Sequence, residues 1–482
     1  MMNAEKSPFW KTVVILSCAV FLASPAAFGG NAEPRDVPAC DRAIPDPCDT
    51  VEACEQAHNK PCAKACATAC DGAGDGDCHK ARDTAPCNPC DPCSPRDGNG
   101  WFSVEKNEEL GYNLLFGKRR KSATIHVGGW VESGIFANAH GTGDNGAMHT
   151  ESNRRTDYQM NQVYLFAEKL TDTSKKRIDW GFRMDMMYGT DGPGAQSYGD
   201  ESFDFGWGDN EHGYGLSLYQ LYGTVSTENI SLRYGKFITP LGWETVAAYS
   251  NFFYSHSYCY WIEPSTHVGA LADFTLSSKL TLSAGWTGGH ENGFQNRYGD
   301  SAVLAGLTYK PTDKATVYYW MNRGETRNGE RFGDDWRFGD VSLARQDYFI
   351  QSLCFEWKPT DRFTYVLQYN LNNASDIDAS SRESTARYSA YGINNHFLYK
   401  LNNRWSVGLR AEWLRDNGGF IEEDRVSGDY YEITLGLNWN PCRHLSVRPE
   451  IRFDWVEGDA SPFDEKTQKD QVSGGFGFLY VF

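Results

Sequence analysis

After residue 30 the chain lacks any uninterrupted apolar run long enough to cross a bilayer as a helix. Only 40% of its 482 residues are hydrophobic, and the mean hydropathy is -0.56. A helical membrane bundle is thereby excluded. Basic charge is short as well. Lys and Arg number 46 against 63 Asp and Glu, a net charge of -17, which argues against nucleic-acid partners because those want a basic face. Signatures of chemistry are missing too. There is no Gly-x-Ser-x-Gly elbow, no phosphate-binding glycine loop and no His-Glu-x-x-His pair, since His290-Glu291 lacks the second His. The eleven His are scattered. Nothing names a nucleophile, a metal site or a cofactor, so no enzyme is expected.

What is present is aromatic residues (14%), 48 Gly and a period of two. Tyr431, Ile433, Leu435, Leu437 and Trp439 alternate with Glu432, Thr434, Gly436, Asn438 and Asn440. Leu445, Val447, Pro449, Ile451, Phe453 and Trp455 alternate with Ser446, Arg448, Glu450, Arg452 and Asp454. The same holds for Trp405–Trp413 around Arg410 and Glu412, and for Ile178–Met186 around Arg183 and Asp185. Such segments are strands with one apolar face. Their apolar faces end in Trp or Tyr, like an aromatic girdle, and their length suits a tilted bilayer crossing. Seven short turns (among them Thr227-Glu228, Ser277-Ser278 and Asn402-Asn403) and eight long loops (near 139–156, 189–213, 239–265, 289–300, 324–346, 373–386, 415–429 and 457–469) connect about sixteen strands. The fold class expected is all-β: a transmembrane antiparallel barrel over 124–482, wide enough for a water-filled channel. Phe476, Phe478, Tyr480 and Phe482 share one strand face. Tyr480 and Phe482 are the expected assembly signal, read by the barrel assembly machinery. A buried strand of a soluble sandwich is the alternative for this stretch.

Ahead of the barrel, Lys6 and Lys11 flank the apolar stretch Val13–Leu22, and Ala27-Phe28-Gly29 offers small residues for cleavage. Residues 1–29 read as a signal peptide. Ile15-Leu16-Ser17-Cys18 makes only a weak lipobox. Ten of the fourteen Cys follow in segment 30–100: Cys40, Cys48, Cys54, Cys62, Cys66, Cys70, Cys78, Cys87, Cys90 and Cys93. This segment holds few large apolar residues and would need staples to fold. Export and an even count favour disulfides in the periplasm. Metal ligation and intermolecular bonding stay open, although the iron–sulfur-like run Cys87, Cys90, Cys93 lacks its fourth Cys. Residues 101–123 read as a linker.

Gly235-Lys236-Phe237-Ile238-Thr239-Pro240-Leu241-Gly242-Trp243-Glu244, with Asn251-Phe252-Phe253-Tyr254-Ser255, Glu263-Pro264-Ser265-Thr266-His267-Val268-Gly269 and Gly288-Gly289-His290-Glu291-Asn292, resembles the β-barrel porins of the OmpL-like type, which are abundant in planctomycetes. The resemblance covers roughly 124–482. It implies an outer-membrane porin and says nothing of the Cys-rich segment.

Loop 239–265 is too aromatic for open water. It is expected to fold inward and narrow the channel, with Trp243, Glu244, Tyr254 and Glu263 at the constriction. A lid over the mouth and a contact with a neighbouring subunit are the alternatives. Arg183, Asp185, Arg233, Arg410, Glu412, Arg448, Glu450, Arg452 and Asp454 are expected to line the pore. They would either set up a field that tunes selectivity or pair as wall packing. Three functions follow: passive diffusion of small hydrophilic solutes, a sugar-specific channel, or a barrel anchor that presents the Cys-rich segment. The expected partners are outer-membrane lipid, the assembly machinery and the solutes. A homotrimer is left open.

Overall fold

The computed structural model describes residues 112–113, 117–118 and 125–482, apart from 142–144, 146–155, 175, 198–203, 208–209, 211, 292, 295–299, 327–344, 378–383, 419 and 422–425. The expected signal peptide, the ten-Cys segment and all of the linker but four residues lie outside the described residues. Those four form a short antiparallel pairing, Tyr112–Asn113 with Gly117–Lys118.

Sixteen strands close into one antiparallel barrel. In chain order they are β1 His126–Asn138, β2 Tyr158–Lys169, β3 Asp179–Gly189, β4 Gly215–Ser226, β5 Ile230–Ile238, β6 Thr266–Ser277, β7 Leu280–Thr287, β8 Ser301–Thr312, β9 Ala315–Thr326, β10 Arg345–Thr360, β11 Phe363–Ile377, β12 Ser384–Lys400, β13 Trp405–Asp416, β14 Gly428–Cys442, β15 Leu445–Gly458 and β16 Asp470–Val481. Every strand pairs with its neighbours in sequence, and β16 closes on β1. Connections alternate between short and long along the whole chain, as the turn residues predict. No open edge remains, which is the condition for strands to cross hydrocarbon.

The period of two decides which side chains face out. On β13, Trp405, Val407, Leu409, Ala411 and Trp413 are half-buried or exposed, whereas Ser406, Arg410 and Glu412 between them are buried. The same alternation leaves Trp180 57% exposed and Asp185 wholly covered on β3. Aromatic rings band the outer wall at both ends. Trp405 stacks on Trp439 at 5.6 Å near the short turns, and Tyr431 stacks on Trp455 at 5.0 Å near the long loops.

Phe476, Phe478 and Tyr480 point outward from β16, and Leu479 and Val481 point in. Phe482 ends the closing seam: its N–H donates to the Gly129 carbonyl at 2.9 Å, and its own carbonyl accepts from Gly129 N–H at 3.2 Å. Deleting Phe482 removes both bonds and the last outward ring. The expected outcome is a lower yield of heat-modifiable folded barrel in the outer membrane, with the same loss when a polar tail is appended. An unchanged yield would refute a role for Phe482 in assembly.

Candidate channel interior

Residues 239–265 connect β5 to β6 but pair with no sheet. Their backbone groups must find partners elsewhere, and they find them on inward side chains of the wall. Gly242 N–H donates to Ser352 Oγ on β10 at 3.1 Å, and Trp243 N–H to Gln368 Oε1 on β11 at 3.1 Å. Asn370 and Asn372 on β11 donate to the carbonyls of Cys259 and Ile262. On β13, Glu412 accepts from the N–H groups of Tyr258 and Cys259, both at 2.6 Å. These two open the single helical turn α1, Tyr258–Trp261. Asn438 on β14 donates to the Phe252 carbonyl. On β15, Glu450 accepts from Tyr254 and Ser255 N–H at 2.8 and 3.0 Å, and Arg448 Nη1 donates to the carbonyls of Ala248, Asn251 and Phe253. Gln162 on β2 receives Ala248 N–H and donates to the Val246 carbonyl. These attachments lie on β10, β11, β13, β14, β15 and β2.

The rings of the segment need room, and the wall supplies it with glycine. Gly408 on β13 and Gly436 on β14 are cross-strand partners. A Cβ on the first would lie 2.4 Å from the Phe252 ring, and on the second 2.8 Å from Phe253. Gly134 on β1 and Gly477 on β16 are likewise partners, and a Cβ on either would come within 2.7 Å of the Tyr254 ring. Gly242 sits at φ +80 with Glu263 against its Cα, where no side chain fits.

Charges are paired beneath the segment. Arg410 Nη1 donates to Glu244 at 2.6 Å and its Nε to Glu432 at 2.7 Å. Arg452 holds Asp454 and Glu432, each at 2.7 Å, and donates to the His256 carbonyl. Arg448 bonds Glu132, and the Tyr258 hydroxyl donates to Asp454. Burial works to raise the Glu244 carboxyl, but Arg410, with His396 and His256 nearby, outweighs it and holds the group down at about 2. Burial, only partly offset by Glu244, pushes His256 down to about 4. Burial raises Glu263 well above the carboxylate range, and its Oε1 accepts from Gln368 and Asn370.

Of the nine charged residues expected along a pore, Arg410, Glu412, Arg448, Glu450, Arg452 and Asp454 are therefore covered and bonded rather than open to solvent. Arg410 is 0% and Arg448 1% exposed. Asp185 is buried as well, between Tyr164, Gln220 and Arg183. Arg183 spans Glu168 and Asp185 and stays half-buried. Arg233 is also half-buried; it stacks over Tyr222 at 5.0 Å and Phe237 at 5.5 Å and has no carboxylate partner among the described residues. Sequence reasoning missed Glu132, Gln162, Gln368, Asn370 and Glu432 as anchors. Their one signal was a polar residue at an inward position.

Among known proteins, the family model described as putative beta-barrel porin-2, OmpL-like, matches residues 124–482. A search of curated sequences finds no match. Solved structures similar to the chain include the outer membrane channel DcaP of Acinetobacter baumannii (10% identity, TM-score 0.47, 74% of this chain and 97% of that one). Two others are an anion-selective porin from Comamonas acidovorans (9%, 0.48, 74% and 99%) and OmpT of Vibrio cholerae (11%, 0.47, 75% and 99%).

Glu244 offers a pH test. Its folded pKa lies below the ordinary 4.5, so its contribution to stability is fully present above pH 4.5 and is lost as pH falls towards 2. Glu244→Gln is expected to cost about 2 kcal/mol at neutral pH, the scale of a charge-assisted hydrogen bond. In thermal melts the gap to wild type should close as pH drops from 4.5 to 2. A gap that is independent of pH would refute the pairing with Arg410.

Proposed function

Because the chain belongs to the OmpL-like putative β-barrel porin-2 family, we propose that this outer-membrane barrel lets small hydrophilic solutes diffuse through a water-filled passage narrowed by the inward-folded residues 239–265. Barrels of this strand number leave an aqueous lumen when nothing fills it. The observation that carries the reading is the attachment of 239–265 to inward side chains from β10 round to β2. The inward residues of β3–β9 keep part of their surface, among them Arg183, Tyr222, Arg233, Asp273 and Tyr318. The passage runs between this half of the wall and the segment. Trp243, Tyr260, Trp261 and Glu263, each half-buried, form its other side. Tyr254 and Glu244 act as anchors and not as lining, since both are covered.

The barrel reaches the membrane through its assembly machinery, and the Cys-rich segment is exported to the periplasm. It carries no catalytic role. A sugar-selective channel is the second reading, favoured by the half-buried rings Trp243, Tyr260 and Trp261, which could stack on a sugar face. Block of conductance by added sugar in planar bilayers separates the two, and a barrel that conducts nothing would leave only the anchor role.

Deleting 244–262 is expected to raise single-channel conductance severalfold, whereas deleting 459–469 should change it little. Similar effects from both deletions, or none from the first, would overturn the constriction. Arg233→Gln is expected to shift the reversal potential in a salt gradient towards cations, because among the described residues it is the arginine on the proposed path that has no carboxylate partner. Arg183→Gln should shift it less, since that charge is already matched by Glu168 and Asp185.

A further inference from the structure

Within β10–β15, β12 alone gives residues 239–265 no hydrogen bond among the described residues, although its inward side chains lie beneath them: the His396 ring is 6.0 Å from that of Phe253. Asn394, two residues before His396 on the same face, is 0% exposed. Neither its amide oxygen nor its amide nitrogen has a partner among the described residues, and the same is true of both ring nitrogens of His396. A buried carboxamide in that state is costly. Its place on the wall is fixed by register. Gln368 on β11 stands opposite it on one side and Glu412 on β13 on the other, with the Cβ atoms of such pairs about 5 Å apart. Glu263 of the segment reaches the same place, for its Oε1 accepts from Gln368 Nε2 at 3.0 Å. Asn394 thus stands between two carboxylates, one from the wall and one from the segment.

Neither carboxylate has a lysine or arginine in contact among the described residues. Glu412 is met by the N–H groups of Tyr258 and Cys259, and Glu263 by the amides of Gln368 and Asn370. The three arginines beneath the segment are taken up elsewhere: Arg410 by Glu244 and Glu432, Arg448 by Glu132, and Arg452 by Glu432 and Asp454. Buried carboxylates call for an opposite charge. Oxygen ligands are at hand. Asn394 brings one oxygen whichever way its amide is turned. Asn370 uses its Nδ2 on the Cys259 carbonyl and Glu263 and has no partner for its Oδ1. Carboxylates, amide oxygens and water are the ligands of a hard divalent cation, and so irregular a set suits calcium better than magnesium, which demands a near-ideal octahedron. His396 offers a partner to water in the shell of such an ion. Glu263 keeps part of its surface, which gives the ion a way in. We propose that a calcium ion binds between Glu263 of the segment and Asn394 and Glu412 of the wall, and so ties the segment to the one strand of β10–β15 that otherwise does not hold it.

The test uses the full chain in detergent, stripped with a chelator and titrated with calcium chloride or with terbium ion. Trp243, whose N–H is bonded to Gln368, lies close enough to the site to excite bound terbium. Calcium is expected to raise the melting temperature, because it binds the folded state, and to quench the terbium luminescence excited through tryptophan. Magnesium should do both only weakly. Asn394→Leu and Glu263→Gln are each expected to weaken calcium binding by about tenfold or more. Glu465→Gln, an exposed carboxylate on a long loop, should leave it unchanged. Asn394→Asp adds a charged oxygen at the same place and is expected to tighten binding by about tenfold, which decides the matter should Asn394→Leu fail to fold. No response to calcium, a response that survives Asn394→Leu or Glu263→Gln, an equal response to magnesium, or no gain from Asn394→Asp would each overturn the proposal.

Discussion

Everything inside this barrel follows from one requirement: residues 239–265 carry backbone donors and acceptors but join no sheet. Buried backbone groups without partners are costly. Their partners here are side chains, so inward positions on β10, β11, β13, β14, β15 and β2 answer to what the segment needs. Glu412 and Glu450 are each placed to take two successive N–H groups. Arg448 turns Nη1 to three carbonyls of the segment and Nη2 to Glu132, a division between two nitrogens of one planar fork that lysine could not copy. Removing one partner from such a network leaves the other buried and unmatched, which costs more than the pair contributes. The segment is thus held in one place.

Shape enforces the same result. The facing glycines Gly408 with Gly436, and Gly134 with Gly477, open two hollows in the wall, and Phe252, Phe253 and Tyr254 fill them. Glycine usually weakens a strand because it gives no side chain to pack. Here the missing side chains are supplied by the loop, which returns the lost contact area. Polar anchors fix the backbone and aromatic seats fix the depth. Both act on the same three residues, because Tyr254 N–H meets Glu450 while its ring lies against Gly134 and Gly477.

The barrel itself was legible because period-two alternation needs only residue identity. Trp405–Trp413 or Leu445–Trp455 declare an apolar face without reference to the rest of the chain, and the turn residues between such runs give the strand count. The aromatic excess of 239–265 was legible for a similar reason: rings in that number need a surface to cover. What the alternation could not show is which inward charges meet water. Arg233 and Arg410 look alike in the sequence, each at an inward position in a strand. They differ because one faces a segment that folds back from more than a hundred residues away, and the other does not. Gly436 shows in the sequence only as a member of the alternating polar face, since the ring that needs it lies far off in the chain. Glu432 passed unnoticed although it holds both Arg410 and Arg452.

This division bears on ion preference. The net charge of -17 favours a cation channel if all charges act on the solute. Charges beneath the segment do not act in that way. Glu432, Glu412, Glu450 and Asp454 are matched at contact distance by guanidinium or backbone N–H groups, and a matched pair has little field a few ångströms away. On the proposed path, Arg183 is matched in the same manner, whereas among the described residues Arg233 meets only the faces of Tyr222 and Phe237. Ring quadrupoles stabilise a cation without cancelling its charge. Asp273, bonded only to the Ser283 hydroxyl among the described residues, is the nearest counterweight along the wall, two residues beyond the register position of Arg233 on the adjacent strand. If the proposed path is the conducting one, the sign felt by a solute turns, among the described residues, on the balance of these two side chains rather than on the composition of the whole chain.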